Sequence, residues 1–524
     1  MANDPTKGIG KVIFSSSLGT LIEWYDFYIF GMLAKTIASQ FFPEGNETTA
    51  LLSTLAIFAA GFLVRPFGAL FFGRLGDLIG RKYTFLLTLV LMGGSTFLIG
   101  LVPSYKSIGI AAPLLVLFLR LVQGLALGGE YGGAATYVAE HAPTHRRGYF
   151  TAWIQTTATL GLFVALGVIM LVKNNMSDAS FTAEWGGWRY PFWLSILLVG
   201  VSIYIRLKMN ESPVFAKLKE EKKTSANPLK ESFGNKANFK MVLLALFGAV
   251  MGQGVIWYTG QFYAQSFLEN TVKIEFVQNR EILLWAIGLA TPFFLVFGAL
   301  SDKIGRKWIM LTGMLLGVIF YRPIFGELLR SANAKEWMKQ DKKKVYANVK
   351  DKKNPIVMLD SLVRNDFVLN LTHTKNIWKF ENGVQVTEAI TDTTFKSKDD
   401  WNSTTVGMDA KPMYSDVTLS TPLKIKFIFL IWVMIIFVTM VYGPVAAFLV
   451  ELFPAKIRYT SMSLPYHIGN GVFGGLVPFI ATLLSTTFTS DPLVGLWYPI
   501  GVAALCFVIG ALYLSNKNDE DISD

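Results

Sequence analysis

Long apolar stretches of roughly 20 residues constrain the fold of this chain more than any other feature of its sequence. A stretch of this kind is long enough for an α-helix to cross the hydrocarbon core of a bilayer. Only 16% of the residues are charged, against about 25% in soluble globular proteins. We therefore predict an all-α membrane protein with about twelve transmembrane helices. The stretches fall near residues 13–42, 50–72, 84–103, 111–139, 149–172, 187–207, 240–267, 281–300, 308–328, 424–449, 461–485 and 494–514.

Basic residues in the short loops predict how the chain is oriented in the membrane. Arg74 and Arg81 follow the second stretch, Arg146 the fourth and Lys303 the eighth, whereas the alternate loops are poor in lysine and arginine. The positive-inside rule places such basic loops in the cytoplasm. Because the number of stretches is even, we expect both termini in the cytoplasm and the protein in the cell's inner membrane.

The sequence gives no supported motif for metal, nucleotide or thiol chemistry. The segment 469–474 fits the dinucleotide pattern Gly-x-Gly-x-x-Gly, but it lies inside an apolar stretch without a βαβ context. Cys506 is the one cysteine, the four histidines lack metal-ligand spacing, and no phosphate-binding Gly-x-x-x-x-Gly-Lys loop occurs. The net charge of +11 lies mainly in loops between the apolar stretches, which does not indicate nucleic acid as a partner. We expect no enzyme activity, no cofactor and no bound metal.

An internal repeat divides the chain into two halves. Gly-Arg-Leu-Gly-Asp-Leu-Ile-Gly-Arg-Lys at 73–82 recurs as Gly-Ala-Leu-Ser-Asp-Lys-Ile-Gly-Arg-Lys at 298–307, an offset of 225 residues. A second pair, Glu140 and Glu451, each followed by Pro and Arg, has an offset of 311 residues. The second half therefore carries about 86 more residues between these motifs, and the polar segment 331–420 accounts for them.

The repeated motif predicts a conformational latch at the loop ends of the helices. Asp77 could accept hydrogen bonds at a neighbouring helix N-terminus, where the helix dipole favours an anion, and Arg81 could pair with Glu140. The alternative interpretation is a basic loop that only fixes the topology. The presence of two copies at equivalent places in the two halves argues against it. The predicted latch residues are Gly73, Asp77, Gly80, Arg81, Lys82, Glu140 and Arg146 in the first half, and Gly298, Asp302, Gly305, Arg306, Lys307, Glu451 and Arg458 in the second.

These motifs resemble those of the major facilitator superfamily, whose hallmark motif follows helices two and eight. Arg-Leu-Val-Gln-Gly-Leu-Ala-Leu-Gly-Gly-Glu at 120–130 is similar to its fourth-helix motif. Within the superfamily, residues 19–27 and 128–133 resemble the metabolite:proton symporter family, which includes osmolyte, oxoglutarate, citrate, shikimate and monocarboxylate permeases. The resemblance implies two six-helix halves that alternate access to a central site. The insert at 331–420 departs from most members and resembles the long ninth-to-tenth loop of haloacid and acetate permeases.

The insert is charge-dense and is expected outside the cytoplasm. Residues 356–371 and 377–386 read as strand-like segments, and 399–402 as a turn. A small ordered β-rich cap and a disordered loop are both compatible with this composition.

Charged residues inside the apolar stretches predict the proton-coupling site. Glu23 and Asp26 share one face of the first helix, while Arg120 and Glu130 lie about 15 Å apart along the fourth. An ionisable residue inside a membrane costs about 2.5–3.5 kcal/mol on insertion scales, so each is a functional candidate. We predict that Glu23, Asp26 and Glu130 take up the coupling proton, with Arg120 as counter-charge or substrate anchor. The alternative is a static ion-pair network between helices one and four.

Polar and aromatic residues on other helices predict the substrate cavity. The second half lacks equivalent charges in its apolar stretches and reads as a mostly neutral wall, so its candidates are neutral side chains. The predicted cavity residues are Arg65, Tyr131 and Gln155 in the first half and Gln253, Trp257, Tyr258, Gln261, Tyr442, Tyr466 and Asn470 in the second.

The combined prediction is a monomeric secondary transporter that takes up a small organic acid, such as a monocarboxylate, with a proton. Sodium is not excluded as the coupling ion. Alternatives are an osmolyte or di- or tricarboxylate symporter, a drug exporter, and a non-transporting sensor that uses the insert. The predicted division is an N-terminal half at 1–207, a cytoplasmic loop at 208–239, helices seven to nine at 240–330, the insert at 331–420, helices ten to twelve at 421–515 and a cytoplasmic tail at 516–524.

Overall fold

A computed structural model of the 524-residue chain shows a mostly helical protein. The residues that the structure describes are 9–43, 47–79, 81–129, 131–207, 220, 228–333, 358–364, 367–380, 383–397, 407–408, 413–454 and 457–516.

The first half consists of eleven described α-helices. In a bilayer the backbone must satisfy its own hydrogen bonds, which favours helices throughout the apolar stretches. The helices are α1 (Ile9–Met32), α2 (Ala34–Phe41), α3 (Glu47–Leu63), α4 (Arg65–Ile79), α5 (Arg81–Ile99), α6 (Tyr105–Ile108), α7 (Ala111–Gly128), α8 (Tyr131–His141), α9 (Arg147–Asn174), α10 (Asp178–Thr182) and α11 (Tyr190–Leu207).

The second half contains π-helical segments within two of its long helices. These segments are Leu246–Val250, Thr259–Tyr263 and His467–Gly474. Such widened turns are rare and often occur at functional sites. The helices are α12 (Pro228–Gly234), α13 (Lys236–Ala245), α14 (Met251–Tyr258), α15 (Ala264–Asn270), α16 (Phe276–Ala290), α17 (Pro292–Ile304), α18 (Arg306–Ser331), α19 (Thr421–Leu452), α20 (Arg458–Tyr466), α21 (Val477–Thr487) and α22 (Trp497–Tyr513).

The helices account for the twelve apolar stretches of the sequence. Among the described residues, nine continuous helical segments are long and apolar enough to cross a membrane. Helices α1, α5 and α11 occupy the remaining three stretches. Large apolar side chains such as Phe67, Phe118 and Trp285 are 60–67% exposed, as expected for surfaces that face lipid. The predicted twelve-helix fold is confirmed.

The chain groups into two compact units. One unit comprises Met1–Ala264, Leu283–Pro323 and Ile431–Asp524. The other comprises Gln265–Ile282 and Ile324–Leu430, and it contains the insert together with the adjoining helix ends.

The described part of the insert forms an antiparallel sheet. Its strands are β1 (Met358–Arg364), β2 (Phe367–Lys379), β3 (Gln385–Ser397), β4 (Gly407–Met408) and β5 (Met413–Thr418), in the order β1-β2-β3-β4 with β5 also paired to β3. The ordered alternative for the insert is therefore the one observed. The predicted strand bounds were wrong: the segment 356–371 is divided between β1 and β2, and the segment 377–386 contains the end of β2 and the start of β3. Between them, the Gly383 N–H donates to the Phe380 carbonyl at 3.0 Å, so the chain turns there. The predicted turn at 399–402 lies outside the described residues.

The last strand of the sheet joins the connector between α15 and α16. The Val417 N–H donates to the Lys273 carbonyl at 2.8 Å, and the Glu275 N–H donates to the Val417 carbonyl at 3.0 Å. The Gln278 side chain then holds Leu419 twice, accepting from its N–H at 2.6 Å and donating to its carbonyl at 3.0 Å. These bonds tie the end of the insert to the start of α16.

Ion pairs continue this attachment along the first turns of α19. Lys424 pairs with Glu281 of α16, and Lys426 pairs with Glu327 of α18. The insert and the adjoining ends of α16, α18 and α19 are therefore held together as one block.

We predict that Gln278→Leu loosens this attachment. The Leu419 N–H and carbonyl would lose their partners at a buried position, which costs about 2 kcal/mol or more. Hydrogen–deuterium exchange of the peptide that covers β5 and Leu419 should accelerate by roughly 30-fold at that energy. Gln40→Leu, which removes one exposed side-chain bond to the Thr182 carbonyl, is the matched control. Unchanged exchange in Gln278→Leu would contradict the attachment.

Candidate functional site

A carboxylate from the second half lies at the start of a helix from the first half. The two carboxylate oxygens of Asp302 accept from the backbone N–H groups of Gly148 and Tyr149, at 2.8 and 2.9 Å. These groups belong to the first turn of α9, where unpaired N–H groups and the helix dipole attract an anion. The role predicted for Asp77 is thus observed for its counterpart Asp302.

Arg306 connects this carboxylate to a third helix. Its guanidinium donates to Asp302 at 2.6 Å and to both carboxylate oxygens of Glu451 at 2.8 and 3.2 Å. Bidentate pairs of this kind are strong and fix geometry. Lys307 donates to the carbonyls of Ala511 and Leu514, so it caps the C-terminal end of α22.

The halves also meet closely at two further points of the same end. A Cβ added at Gly298 would lie 2.6 Å from both the Gly148 carbonyl oxygen and the Ala152 Cβ, so no larger residue fits without displacement. Glu140 pairs with Arg458 of the second half at 3.5 Å, and the Tyr459 hydroxyl donates to the Gly129 carbonyl. We call this set of contacts, centred on Asp302, Arg306, Glu451, Glu140 and Arg458, the latch cluster.

The first copy of the motif lies at the end of α4 and the start of α5. Gly80 lies outside the described residues, and the structure gives no side-chain placement for Gly73, Asp77, Arg81 or Lys82. The expected Arg81–Glu140 pair therefore stays a prediction. Arg146 is exposed and lies over the rings of Tyr149 and Phe150, while Gly305 adopts a φ of 100° at the end of α17.

Two arginine side chains are buried in the centre of the first unit. Arg65 is 1% exposed and lies 4.1 Å from the Phe62 ring centroid, while Arg120 is fully buried and lies 4.4 Å from that of Phe30. Their positive charges are close enough to repel each other. Cation–π contacts favour such placements of a guanidinium, and the repulsion between the two charges makes a nearby anion favourable.

The residues around Arg120 link it to the helix of Asp26. Arg120 donates to the side-chain oxygen of Gln123. The side-chain nitrogen of Gln123 in turn donates to the Thr96 hydroxyl at 2.8 Å and to the Asp26 backbone carbonyl at 3.4 Å. The Asp26 carboxylate itself is 1% exposed. The other predicted proton residues cannot be placed, because Glu130 lies outside the described residues and the Glu23 side chain is not described.

The predicted neutral residues of the second half lie buried on two helices. Gln253, Trp257, Tyr258 and Gln261 follow α14 and its π-helical extension, and all are at most 1% exposed. On the other helix, the Tyr466 hydroxyl bonds to the Tyr442 hydroxyl at 2.7 Å and accepts from the Asn470 amide at 3.0 Å.

These residues approach the arginines from the second half. Tyr258 lies beside both Arg65 and Arg120. Of the remaining cavity predictions, Gln155 is buried on α9, and the side chain of Tyr131 is not described.

Aromatic rings that sequence reasoning did not include join the two halves. Trp24 and Tyr28 of α1 stack at 5.1 Å between ring centroids, and they lie 5.4 and 5.7 Å from Trp257 of α14. The Trp-Tyr pair at 24–25 within the first-helix motif was the available signal. Sequence reasoning assigned His467 no role beyond excluding it as a metal ligand. In the structure it is 2% exposed and lies near Arg65.

The second half is not a neutral wall throughout, contrary to the prediction. Glu269 of α15 and Arg280 of α16 form a buried ion pair, with side chains 5% and 1% exposed. Gln265 also donates to Glu269 at 2.8 Å. Both charges lie just outside the apolar stretches drawn at 240–267 and 281–300, so the hydropathy boundaries excluded a pair that folding buries.

One protein-family model matches more than half of the chain. The family described as sugar (and other) transporter matches residues 12–340.

Individual relatives carry names of bacterial transporters. The inner membrane metabolite transport protein YhjE of Escherichia coli K12 is 30% identical over 92% of this chain and 90% of its own length. The alpha-ketoglutarate permease of that strain is 37% identical over 62% of this chain and 73% of its length. The proline/betaine transporter of that strain is 34% identical over 60% of this chain and 64% of its length.

A similar fold occurs among solved structures. The crystal structure of D-xylose-proton symporter superposes with a TM-score of 0.61 at 14% sequence identity, covering 97% of this chain and 98% of the other. At this identity the likeness shows the shared fold.

We predict that Asp302→Asn opens the latch cluster. The change leaves the α9 N-terminus and the buried Arg306 with a weaker partner, and breaking a buried pair costs about 3–5 kcal/mol. Spin labels at the exposed positions His145 and Lys303, in a Cys506→Ser background, should show one short distance in the parent and an added longer population in the variant. Asp178→Asn, which removes an exposed carboxylate paired with Lys173, is the control. An unchanged distance distribution would remove Asp302 from the latch.

Proposed function

The chain belongs to the sugar (and other) transporter family of the major facilitator superfamily, and we propose that it takes up a small organic acid together with a proton. As a member of this family it is a multi-pass membrane transporter and not an enzyme. The solute, the coupling ion, the inner-membrane location and the monomeric state belong to the proposal.

The burial of both Arg65 and Arg120, close enough for their charges to interact, carries the assignment of an acidic solute. Two interacting guanidinium charges in a low-dielectric interior favour an anion over a neutral sugar or a cation. A carboxylate also matches the planar, forked donors of arginine. The alpha-ketoglutarate permease among the relatives is consistent with such a solute.

The coupling proton is assigned to carboxylates of the first half. Asp26 is buried, and its backbone carbonyl accepts a hydrogen bond from the Gln123 side chain that also holds Arg120, so its environment is linked to the arginine. A carboxylate changes its proton affinity when a neighbouring charge or its access to water changes. Glu23 and Glu130 are also assigned to proton uptake, on the basis of the sequence alone. Sodium is the alternative coupling ion.

The latch cluster supports transport by alternating access. It joins the halves through charges that are satisfied only while α9, α17 and the α19–α20 region stay in contact. Rocking of the two halves around a central site would break these pairs in one state and restore them in the other. With the basic motif loops in the cytoplasm, the closed latch corresponds to a state that is shut towards the cytoplasm.

An osmolyte such as proline or betaine is the second candidate solute. Aromatic rings recognise quaternary ammonium groups, and Trp24, Tyr28 and Trp257 are grouped near Arg65. These rings contact one another at centroid distances of 5.1–5.7 Å, which fits mutual packing better than an open cage for a cation. The organic acid is therefore preferred.

Uptake by proteoliposomes under an acid-outside pH gradient tests the proposed function. Labelled acetate, lactate, 2-oxoglutarate, proline and glycine betaine are the probes. At least one acid should accumulate above the level in protein-free liposomes, and only when the gradient is present. Arg120→Gln should reduce that protein-dependent accumulation roughly tenfold or more, as expected for a lost bond to a charged group. Arg330→Gln, at a position with a 76% exposed side chain, is the matched control and should behave as the parent.

Other outcomes separate the alternatives. Accumulation of proline and betaine alone would overturn the organic acid, and dependence on a sodium gradient would overturn the proton. No accumulation of any probe under either gradient would favour a non-transporting sensor.

A further inference from the structure

His467 is a buried polar side chain to which the proposed mechanism assigns no role. It begins the π-helical segment His467–Gly474 in the second half and is 2% exposed. Neither ring nitrogen makes a hydrogen bond of good geometry with a described residue, although the Gly128 backbone lies beside the ring. A buried polar group without a partner costs about 1–3 kcal/mol, so such a residue calls for an explanation.

The hydroxyl of the preceding residue is satisfied, whereas both nitrogens of the imidazole and the Asn470 side-chain oxygen have no hydrogen bond within the described residues. Tyr466 bonds to Tyr442, and the Asn470 amide nitrogen donates to Tyr466. The Tyr466 ring meets the His467 ring edge-on at 5.2 Å between centroids, which restrains the imidazole without using its nitrogens. The hydroxyl network therefore holds the ring in place and leaves its polar edge available.

The arginine of the first half reaches across to this helix. The Cδ of Arg65 would lie 3.5 Å from a Cβ at Gly471, one turn beyond His467, so the arginine stem crosses the helix at a position without a side chain. The Arg65 charge acts on the His467 ring, and Tyr258 lies beside the same arginine. Arg65 and His467 thus face one another from opposite halves of the protein.

We propose that His467 is a substrate-binding residue that donates a hydrogen bond to the carboxylate held by Arg65, so that the bound acid bridges the two halves. An imidazole retains an N–H donor whether neutral or protonated, so this role does not require a change in its charge. The proposal rests on the proposed function, since it assigns a contact to the same acidic solute. It also gives the second half a specific polar contact with that solute.

The test compares His467→Leu with His467→Gln in proteoliposome uptake of the acid that the parent accumulates. Leucine removes the donor, so KM should rise about 10- to 100-fold, the range expected for one hydrogen bond to a charged group, while the maximal rate stays within about twofold. Glutamine restores an N–H donor and should keep KM within about threefold of the parent. Ser485→Ala removes a bond to the Pro492 carbonyl farther along the same helical span and is the matched control.

Binding measured without transport guards against a folding defect. The same acid should raise the apparent melting temperature of the detergent-solubilised parent and His467→Gln, but should raise that of His467→Leu less at equal concentration. An unchanged KM in His467→Leu would overturn the proposal. So would a fall in maximal rate at unchanged KM in both variants, which is the signature of a structural role. If the parent itself accumulates no acid, the proposed function fails instead.

Discussion

The burial of two neighbouring arginine charges is the constraint on which the interpretation of this protein depends. Arg65 and Arg120 lie in the interior at 1% and 0% exposure, and each rests against aromatic rings. Placing one such charge in a membrane protein is expensive, and placing two side by side adds repulsion. The surrounding residues follow from this constraint: Gln123 orients Arg120, Tyr258 approaches both arginines, and Gly471 leaves space for the Arg65 stem.

The latch cluster applies the same electrostatic principle at the ends of the helices. Asp302 is stabilised by the first turn of α9 and by Arg306, and Arg306 is in turn fixed by Glu451. Asp302, Arg306 and Glu451 each have a partner on another helix, so moving one half would disrupt several bonds together. Such coupled pairs favour two discrete arrangements over a continuous range, which is what alternating access requires.

The sequence predicted the twelve helices and singled out Asp302, Arg306 and Glu451, which the structure brings into contact, because hydropathy and motif spacing report directly on helices and their ends. It did not predict the buried Glu269–Arg280 pair, since both residues lie in the connector between two apolar stretches and only the folded chain buries them. The hairpin turn near residue 383 was missed because apolar alternation continued through it. The contacts of Trp24 and His467 depend on which helices meet across the halves, and a single sequence carries no information on that pairing.

Proton movement during acid entry tests the central claim most directly. Proteoliposomes without an imposed gradient are placed in lightly buffered medium, and the external pH is recorded when the transported acid is added as its neutralised salt. Proton-coupled uptake predicts a rise in external pH that is absent from protein-free liposomes. This rise should be lost in Asp26→Asn or Glu130→Gln. Exchange of internal for external acid should persist in at least one of these two variants. Acid entry through the parent protein without any pH change would contradict proton coupling.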